Sequence, residues 1–235
     1  MFYNIINYFS ITEDNMAKTI GVVVAMNRET GVLGHFPHEK EIVAGFSFNL
    51  FKAGENNVIL AECGIGETYA AAATALLIGR YKVDEIINYG YVGALEEDTP
   101  MNAVFAVQKV LHTDFDLTAF GLSMCQYDGR DKIEFTPDAA LTARIADLPL
   151  KTLASADKFV WSGDRKKELN QEFDAHICDM EGAGVASVAD KAGVPYALVK
   201  IVADGVESDC TDEFFKNSVF GIEPLVKLIC DYLEK

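Results

Sequence analysis

The stretch Ile20–Met26, with the sequence IGVVVAM, decides the fold of this chain. Its apolar residues are continuous and rich in β-branched side chains, which is typical of a strand buried on both faces of a parallel sheet. Outward from it, a second strand is predicted at Asn57–Ala61, followed by Gly64 and Gly66 and then by an alanine-rich helix over Glu67–Gly79. A strand, a glycine turn and a helix in this order are the repeating unit of α/β domains.

The same alternation continues to the end of the chain. Further strands are predicted at Glu85–Tyr89, Ala103–Val107, Thr152–Ala154, Ile177–Cys178 and Tyr196–Ile201, and further helices at Pro137–Ala146, Gly182–Ala192 and Thr211–Leu233. No linker or internal repeat interrupts the pattern. We therefore expect one α/β domain over residues 19–235, with helices on both faces of the sheet, and we interpret residues 1–18 as a leader outside it.

Composition narrows the range of functions. The chain has 235 residues, 50% of them hydrophobic, so it can bury a substantial core. Its 20 lysines and arginines are outnumbered by 36 aspartates and glutamates, which gives a formal charge of -16. A surface this acidic disfavours nucleic acids and anionic membranes, and we expect neither as a partner.

The cysteines indicate the compartment. They lie at positions 63, 125, 178, 210 and 230, widely spaced and without a C-x-x-C motif. This pattern predicts reduced thiols rather than a disulfide framework or a zinc site. Because the first residues also lack the features of a secretion signal, we expect a cytoplasmic protein.

Neither a metal ion nor a cofactor is expected. His35 and His38 lack a third ligand in a recognised spacing, and so does His112, although acids follow it. The Gly64-Ile65-Gly66 turn lacks the third glycine of a dinucleotide-binding fingerprint, so we interpret it as a tight structural turn.

The most informative cluster consists of acids at the ends of two predicted strands. Asp179-Met180-Glu181 opens a helix of small residues, and Asp204 follows the last strand. Ligands of α/β domains bind where the chain leaves the carboxyl ends of strands. An acid in such a crevice can have its pKa raised by loss of solvent and by a like-charged neighbour, as a general acid requires. On these residues alone, helix-capping acids in a solvated loop remain an equal alternative.

A family resemblance favours the functional interpretation. Several blocks occur in a fixed order: IGVVVAMNRE (20–29), ECGIGETYAAAATALL (62–77), IINYGYVGAL (86–95), DLTAFG (116–121), SADKFV (155–160), DMEGAG (179–184) and VKIVAD (199–204). Together they resemble the purine nucleoside phosphorylase and uridine phosphorylase superfamily, and within it the bacterial 5'-methylthioadenosine/S-adenosylhomocysteine nucleosidases. The resemblance implies a single-domain three-layer αβα sandwich with a twisted mixed sheet, no cofactor, and a homodimer.

The resemblance also implies a role for each of three acids in breaking an adenine N-glycosidic bond. Asp204 matches the family's general acid, which protonates N7 so that adenine can leave. Glu181 matches a carboxylate that holds the ribose hydroxyls and stabilises the positive charge that develops on the sugar. Glu29 matches the glutamate that holds the attacking water on the opposite face of the sugar.

The same match predicts the residues around the substrate. Phe159 and Val160 correspond to the purine platform and its edge. The other predicted binding residues within one subunit are Met26, Ile65, Tyr91, Val92, Gly93, Asp179, Met180 and Lys200. Leu117 and Phe120 match residues that a neighbouring subunit contributes. The implied function is hydrolysis of 5'-methylthioadenosine- or S-adenosylhomocysteine-type nucleosides, with release of adenine.

Departures from the family pattern keep two alternatives open. Asn88 stands where phosphorylases carry a phosphate-binding arginine, which favours water as the nucleophile, although Arg28 keeps a purine nucleoside phosphorylase as an alternative. Tyr91 replaces a small serine, and Lys200 replaces an arginine that orients water. A phenol at position 91 either crowds the pocket or supplies a hydroxyl, so a catalytically silent nucleoside-binding homologue is the second alternative. The loop Glu207–Thr211 is predicted to be shorter than in relatives, which leaves specificity for the 5' substituent open.

Overall fold

A computed structural model describes residues 17–206 and 221–235 of the chain. Within these ranges, 10 strands form one sheet. They are β1 (Thr19–Val24), β2 (His38–Val43), β3 (Phe46–Ala53), β4 (Asn56–Glu62), β5 (Glu85–Ala94), β6 (Val104–His112), β7 (Glu134–Phe135), β8 (Leu150–Ser155), β9 (Ile177–Asp179) and β10 (Tyr196–Asp204). The leader predicted over residues 1–18 lies almost entirely outside the described residues.

Helices pack around this sheet. They are α1 (Glu67–Leu76), α2 (Ala139–Ile145), α3 (Gly163–Phe173), α4 (Gly182–Ala192) and α5 (Glu223–Leu233), with 3-10 turns at Asn27–Gly34 and Thr118–Phe120. The helix predicted to end at Gly79 passes instead into a π-helical turn, Leu77–Tyr81, and Lys82 ends it with a φ of 55°. The helix predicted from Thr211 is described only from Glu223, because its first part lies outside the described residues. Helix α3 and the β2–β3 hairpin were not predicted.

The sheet is mixed, and part of it closes on itself. β4, β1, β5 and β10 run parallel in that order, whereas β2 and β3 extend the sheet antiparallel beyond β4. From β5 the strands β9, β8, β6 and β10 follow in turn, and β10 pairs with β5 again. The carboxyl ends of the four parallel strands therefore meet beside a small closed ring of strands.

Side chains of the central strands alternate between two hydrophobic cores, one on each face. On one face, Val22 of β1 packs with Leu141 of α2 and Ile229 of α5. On the other face, Val23 packs with Ala73 of α1 and residues of α4. Continuous apolar strands are required where both faces are covered, because each second residue enters a different core. This arrangement confirms the predicted mixed α/β fold with helices on both faces.

The start of the described chain is tied to the sheet. Lys18 N donates to Asn56 Oδ1 at 2.9 Å, and the Lys18 carbonyl accepts from Asn57 N at 2.8 Å. The ammonium of Lys18 lies 3.1 Å from Glu85 Oε2. Among the helices of residues 17–206 and 221–235, none has the length and apolar character needed to cross a bilayer.

Candidate active site

A cavity of about 430 Å³ opens where β1, β4, β5 and β10 end. Chain segments that leave these strands form one side of it, and the residues between β9 and α4 form the other. Its lining consists of Met26, Glu29, Ile65, Tyr91, Val92, Gly93, Lys158, Phe159, Val160, Trp161, Cys178, Asp179, Met180, Glu181 and Asp204. The cavity thus brings together all three predicted catalytic acids and the predicted residues of the purine platform.

Three predicted site residues do not line this cavity. Lys200 is buried behind it, and Leu117 and Phe120 lie on the 3-10 turn after β6. Phe120 is 82% exposed. Lys158, Trp161 and Cys178 line the cavity without having been predicted. Lys158 lies within a matched block but not at one of its functional positions, and Trp161 and Cys178 lie directly beside matched blocks.

Glu29 is held by the backbone around it. Its Oε2 accepts from Ala25 N at 2.9 Å and from Met26 N at 2.8 Å, while Oε1 accepts from Tyr91 N at 3.1 Å. The side chain fits beside β5 because position 90 is glycine: a Cβ there would lie 2.5 Å from Glu29 Oε1. Burial raises the pKa of Glu29, and the three N–H donors oppose that rise.

Glu181 closes the opposite wall. Its Oε1 accepts from Gly66 N at 2.9 Å, which links the start of α4 to the turn before α1. Gly66 has a φ of 112°, a backbone conformation that favours glycine, so the turn can aim this N–H at the carboxylate. Burial and the charge of Asp179 raise the pKa of Glu181 to about 8. A carboxyl poised near neutrality in a cavity is a common feature of functional sites.

Lys200 and Asp179 form an ion pair behind the cavity wall. Lys200 Nζ lies 2.7 Å from Asp179 Oδ2, and both side chains are almost completely buried. Asp179 Oδ1 accepts from Gly182 N at 3.1 Å and from the Ser155 hydroxyl, whose oxygen is also within hydrogen-bonding distance of Glu67 Oε1. The charges of Asp179, Glu181 and Glu29 raise the pKa of Lys200 against the effect of burial. Lys200 is therefore a counter-charge for the buried acids.

An irregularity in β10 determines the position of Asp204. The pairing of β10 with β5 shifts register between Val202 and Asp204, so that Asp204 pairs with Gly93. Such a bulge redirects the side chain that follows it. Asp204 is 2% exposed, lines the cavity and forms an ion pair with Lys166 of α3. Sequence reasoning missed Lys166, because the surrounding helix is polar and matches none of the family blocks.

Apolar and aromatic side chains surround these acids. Phe159, which is 38% exposed, and Trp161, which is 67% exposed, lie in the segment between β8 and α3. Met26 and Ile65 line the wall formed after β1 and β4. A mainly apolar cavity with a few convergent polar groups is the form that small-molecule sites usually take.

The histidines considered as metal ligands do not line the cavity. His38 starts β2, and His112 Nε2 lies 2.9 Å from Asp114 Oδ1 while its Nδ1 is 2.7 Å from the Tyr127 hydroxyl. Within the part of the chain that the structure describes, no group of three or more potential ligands is arranged to hold a metal ion.

Known proteins resemble this chain in sequence. A 5'-methylthioadenosine/S-adenosylhomocysteine nucleosidase of Buchnera aphidicola is 32% identical over 227 residues, which is 92% of this chain and 97% of the relative. The corresponding nucleosidase of Shewanella halifaxensis is 30% identical over 210 residues, 83% of this chain and 90% of the relative.

Solved structures also resemble this chain. A mutant of the nucleosidase of Helicobacter pylori, with 5'-methylthioadenosine in its active site, superposes with a TM-score of 0.88 at 25% identity, covering 93% of this chain and 99% of that one. The futalosine hydrolase of the same organism gives a TM-score of 0.87 at 25% identity, covering 93% and 97%.

The chain is thus an α/β protein with a mixed sheet. The ends of its strands enclose an apolar cavity with buried carboxyl groups, which is suited to a small organic ligand and to proton transfer. The chain belongs to the phosphorylase superfamily, whose sequence model matches residues 19–220.

Proposed function

We propose that this protein is an N-glycosidase that hydrolyses 5'-methylthioadenosine- or S-adenosylhomocysteine-type nucleosides and releases adenine. One observation carries the proposal: Glu29, Glu181 and Asp204 line a single cavity together with an aromatic side chain. The names of the relatives in sequence and in structure support the same reaction.

Each of the three acids has a proposed role. Asp204 protonates N7 of the base, and Glu181 binds the ribose hydroxyls beside Met180. Glu29 orients the water that adds to C1', because its carboxylate is fixed by three backbone N–H donors and faces the cavity. Phe159 forms the platform for the purine.

Water is favoured over phosphate as the nucleophile. Asn88, at the position of the phosphorylase arginine, is buried and donates to the Val23 carbonyl at 3.0 Å, so its amide is directed into the sheet. Among the described residues that line the cavity, the only cationic side chain is that of Lys158. Phosphate binding generally needs several convergent donors of positive charge.

We further propose that the active form is a cytoplasmic homodimer. Leu117 and the exposed Phe120 would complete the partner's cavity, since they do not reach their own. Cys63, Cys125 and Cys178 are buried free thiols, which suits a reducing compartment. The released adenine and thiosugar would enter purine and methionine salvage.

The test is adenine release from 5'-methylthioadenosine in phosphate-free buffer and with added phosphate. Hydrolysis predicts the same rate in both, and Asp204→Asn should reduce turnover while adenine binding is retained. A requirement for phosphate would establish a phosphorylase instead. Adenine binding without release in either buffer would establish the silent homologue, and an Asp204→Asn variant as active as the unchanged protein would contradict the role of Asp204.

A further inference from the structure

Lys166 brings a buried positive charge to Asp204. It lies on α3, is 0% exposed, and forms an ion pair with Asp204 while its Nζ donates to the Gly205 carbonyl at 2.7 Å. The strand opposite leaves room for the pair because position 93 is glycine: a Cβ there would lie 2.9 Å from Asp204 Oδ1 and 3.1 Å from Lys166 Nζ. The arrangement is thus built from three separate elements, α3, β5 and β10.

This pairing creates a difficulty for Asp204 as a proton donor. An ammonium group in contact with a carboxylate favours the ionised form of that carboxylate. In the resting site the proton therefore resides on Lys166 rather than on Asp204. A general acid must carry a proton when the leaving group departs, so the proton has to come through the pair.

We propose that Lys166 stores the proton that Asp204 delivers to the departing base. The inference rests on the proposed nucleosidase function and adds a residue to it. Lys166 does not line the cavity and acts through Asp204, so it is a positioning residue for this proton.

The Lys166 ammonium first gives its proton to the Asp204 carboxylate. As the C1'–N9 bond breaks and its electron pair moves into the base, Asp204 passes this proton to N7. Water adds to C1' and gives its own proton to Glu29. Neutral adenine leaves with the proton on N7, and solvent returns Lys166 to its ammonium form and removes the proton from Glu29.

The surroundings allow lysine to give up its proton during the reaction. Transfer of the proton from Lys166 to Asp204 converts a buried ion pair into two neutral groups, and burial disfavours the charged forms of both. Among the described residues of β9, Cys178 and Asp179 are the titratable neighbours of the pair. Burial raises the pKa of the Cys178 thiol to about 12, so it stays neutral, and Asp179 is paired with Lys200.

The experiment compares Lys166→Met and Lys166→Arg with the unchanged protein. Methionine keeps most of the length of the side chain and removes the ammonium group with its proton, whereas arginine keeps the charge but holds its proton too tightly to release it. Adenine release from 5'-methylthioadenosine should fall about 100-fold or more in both variants, the range expected for losing general acid catalysis. In Lys166→Met the alkaline limb of kcat/KM should also move to lower pH, because Asp204 alone must then hold the proton.

A second substrate separates this role from simple loss of structure. In 4-nitrophenyl 5-methylthio-β-D-riboside, the nitrophenolate departs without needing a proton. Both variants should cleave it at nearly the unchanged protein's rate. Equal losses on the two substrates would overturn the inference, because they would show damage to the whole site.

The remaining outcomes are also decisive. Full adenine release by Lys166→Met, or restored release by Lys166→Arg, would overturn the inference, since the proton of lysine would not be needed. Lys167→Met is the matched control, because Lys167 is the next residue of the same helix but pairs with Glu97 at the surface. If the unchanged protein releases no adenine, the proposed function is overturned and this inference with it. That outcome differs from a loss of adenine release in the variants alone, which supports the inference.

Discussion

Replacing Lys200 with methionine should strongly destabilise the protein. Lys200 Nζ lies 2.7 Å from Asp179 Oδ2 with both side chains almost fully buried, and Glu181 and Glu29 are the other carboxyl groups that interact with it. Removing one partner of a buried ion pair leaves an uncompensated charge, which costs about 3–5 kcal/mol. We expect the lower end, about 3 kcal/mol at pH 7, because Asp179 keeps its bonds from Ser155 and Gly182.

Urea unfolding followed by circular dichroism, at one fixed protein concentration, measures this change in the free energy of unfolding. The double variant Asp179→Asn/Lys200→Met should be more stable than Lys200→Met alone, because neither charge is then left unpaired. Lys167→Met is the control, and its loss should stay below about 1 kcal/mol, as for other exposed ion pairs. A loss below about 1 kcal/mol for Lys200→Met, or a double variant less stable than the single one, would refute the argument.

Three further predictions concern the cavity and its acids. Gly93→Ala places a methyl group 2.9 Å from Asp204 Oδ1, so Asp204 must move, and kcat for adenine release should fall up to about 100-fold in a steady-state assay. In the unchanged protein, backbone N–H groups donate to the Glu29 carboxylate, and Glu29→Gln would turn an amide donor toward some of them. The rate of hydrolysis should therefore fall about 100-fold or more, while calorimetry should show that adenine binding is retained. Burial raises the pKa of Glu67 to about 8, so the folded state holds a proton there that the unfolded state loses above about pH 4.5. The free energy of unfolding should therefore decline from about pH 4.5 to pH 8 and then level off. Urea unfolding at a series of pH values measures this decline, and Glu67→Gln should flatten it.

Each of these predictions has an outcome that contradicts it. An active Gly93→Ala variant would show that Asp204 tolerates displacement. Unchanged hydrolysis in Glu29→Gln would remove Glu29 from the water site. Stability that rises between pH 5 and 8, in a manner that depends on Glu67, would mean that this carboxyl is ionised in the folded protein.

Much of the fold follows from local patterns. The run at Ile20–Met26 predicts a doubly buried strand, and β1 is buried on both faces as expected. Helix α4 begins and ends where its small residues predict, at Gly182 and Ala192. The β2–β3 hairpin escaped prediction because β2 is an edge strand of mostly polar, partly exposed residues, without the alternation that marks a half-buried strand.

Helix α3 shows why the remainder needed the three-dimensional structure. The sequence of Gly163–Phe173 is almost wholly polar, and only Lys166 and Leu169 of this helix are buried. A polar helix with so narrow an apolar face carries a weak periodic signal. The burial of Lys166 results from its partner Asp204, which is 38 residues away in sequence.

The sequence by itself determined most of the strands and helices, the family and the acids that follow the strands, because these depend on local hydrophobic pattern and on residue type. Only the tertiary structure decided which charges neutralise one another. Lys200 lies behind the cavity against Asp179, and Lys166 comes from an unmatched helix to reach Asp204. A buried charge requires a partner, and which one it finds depends on how distant segments pack together.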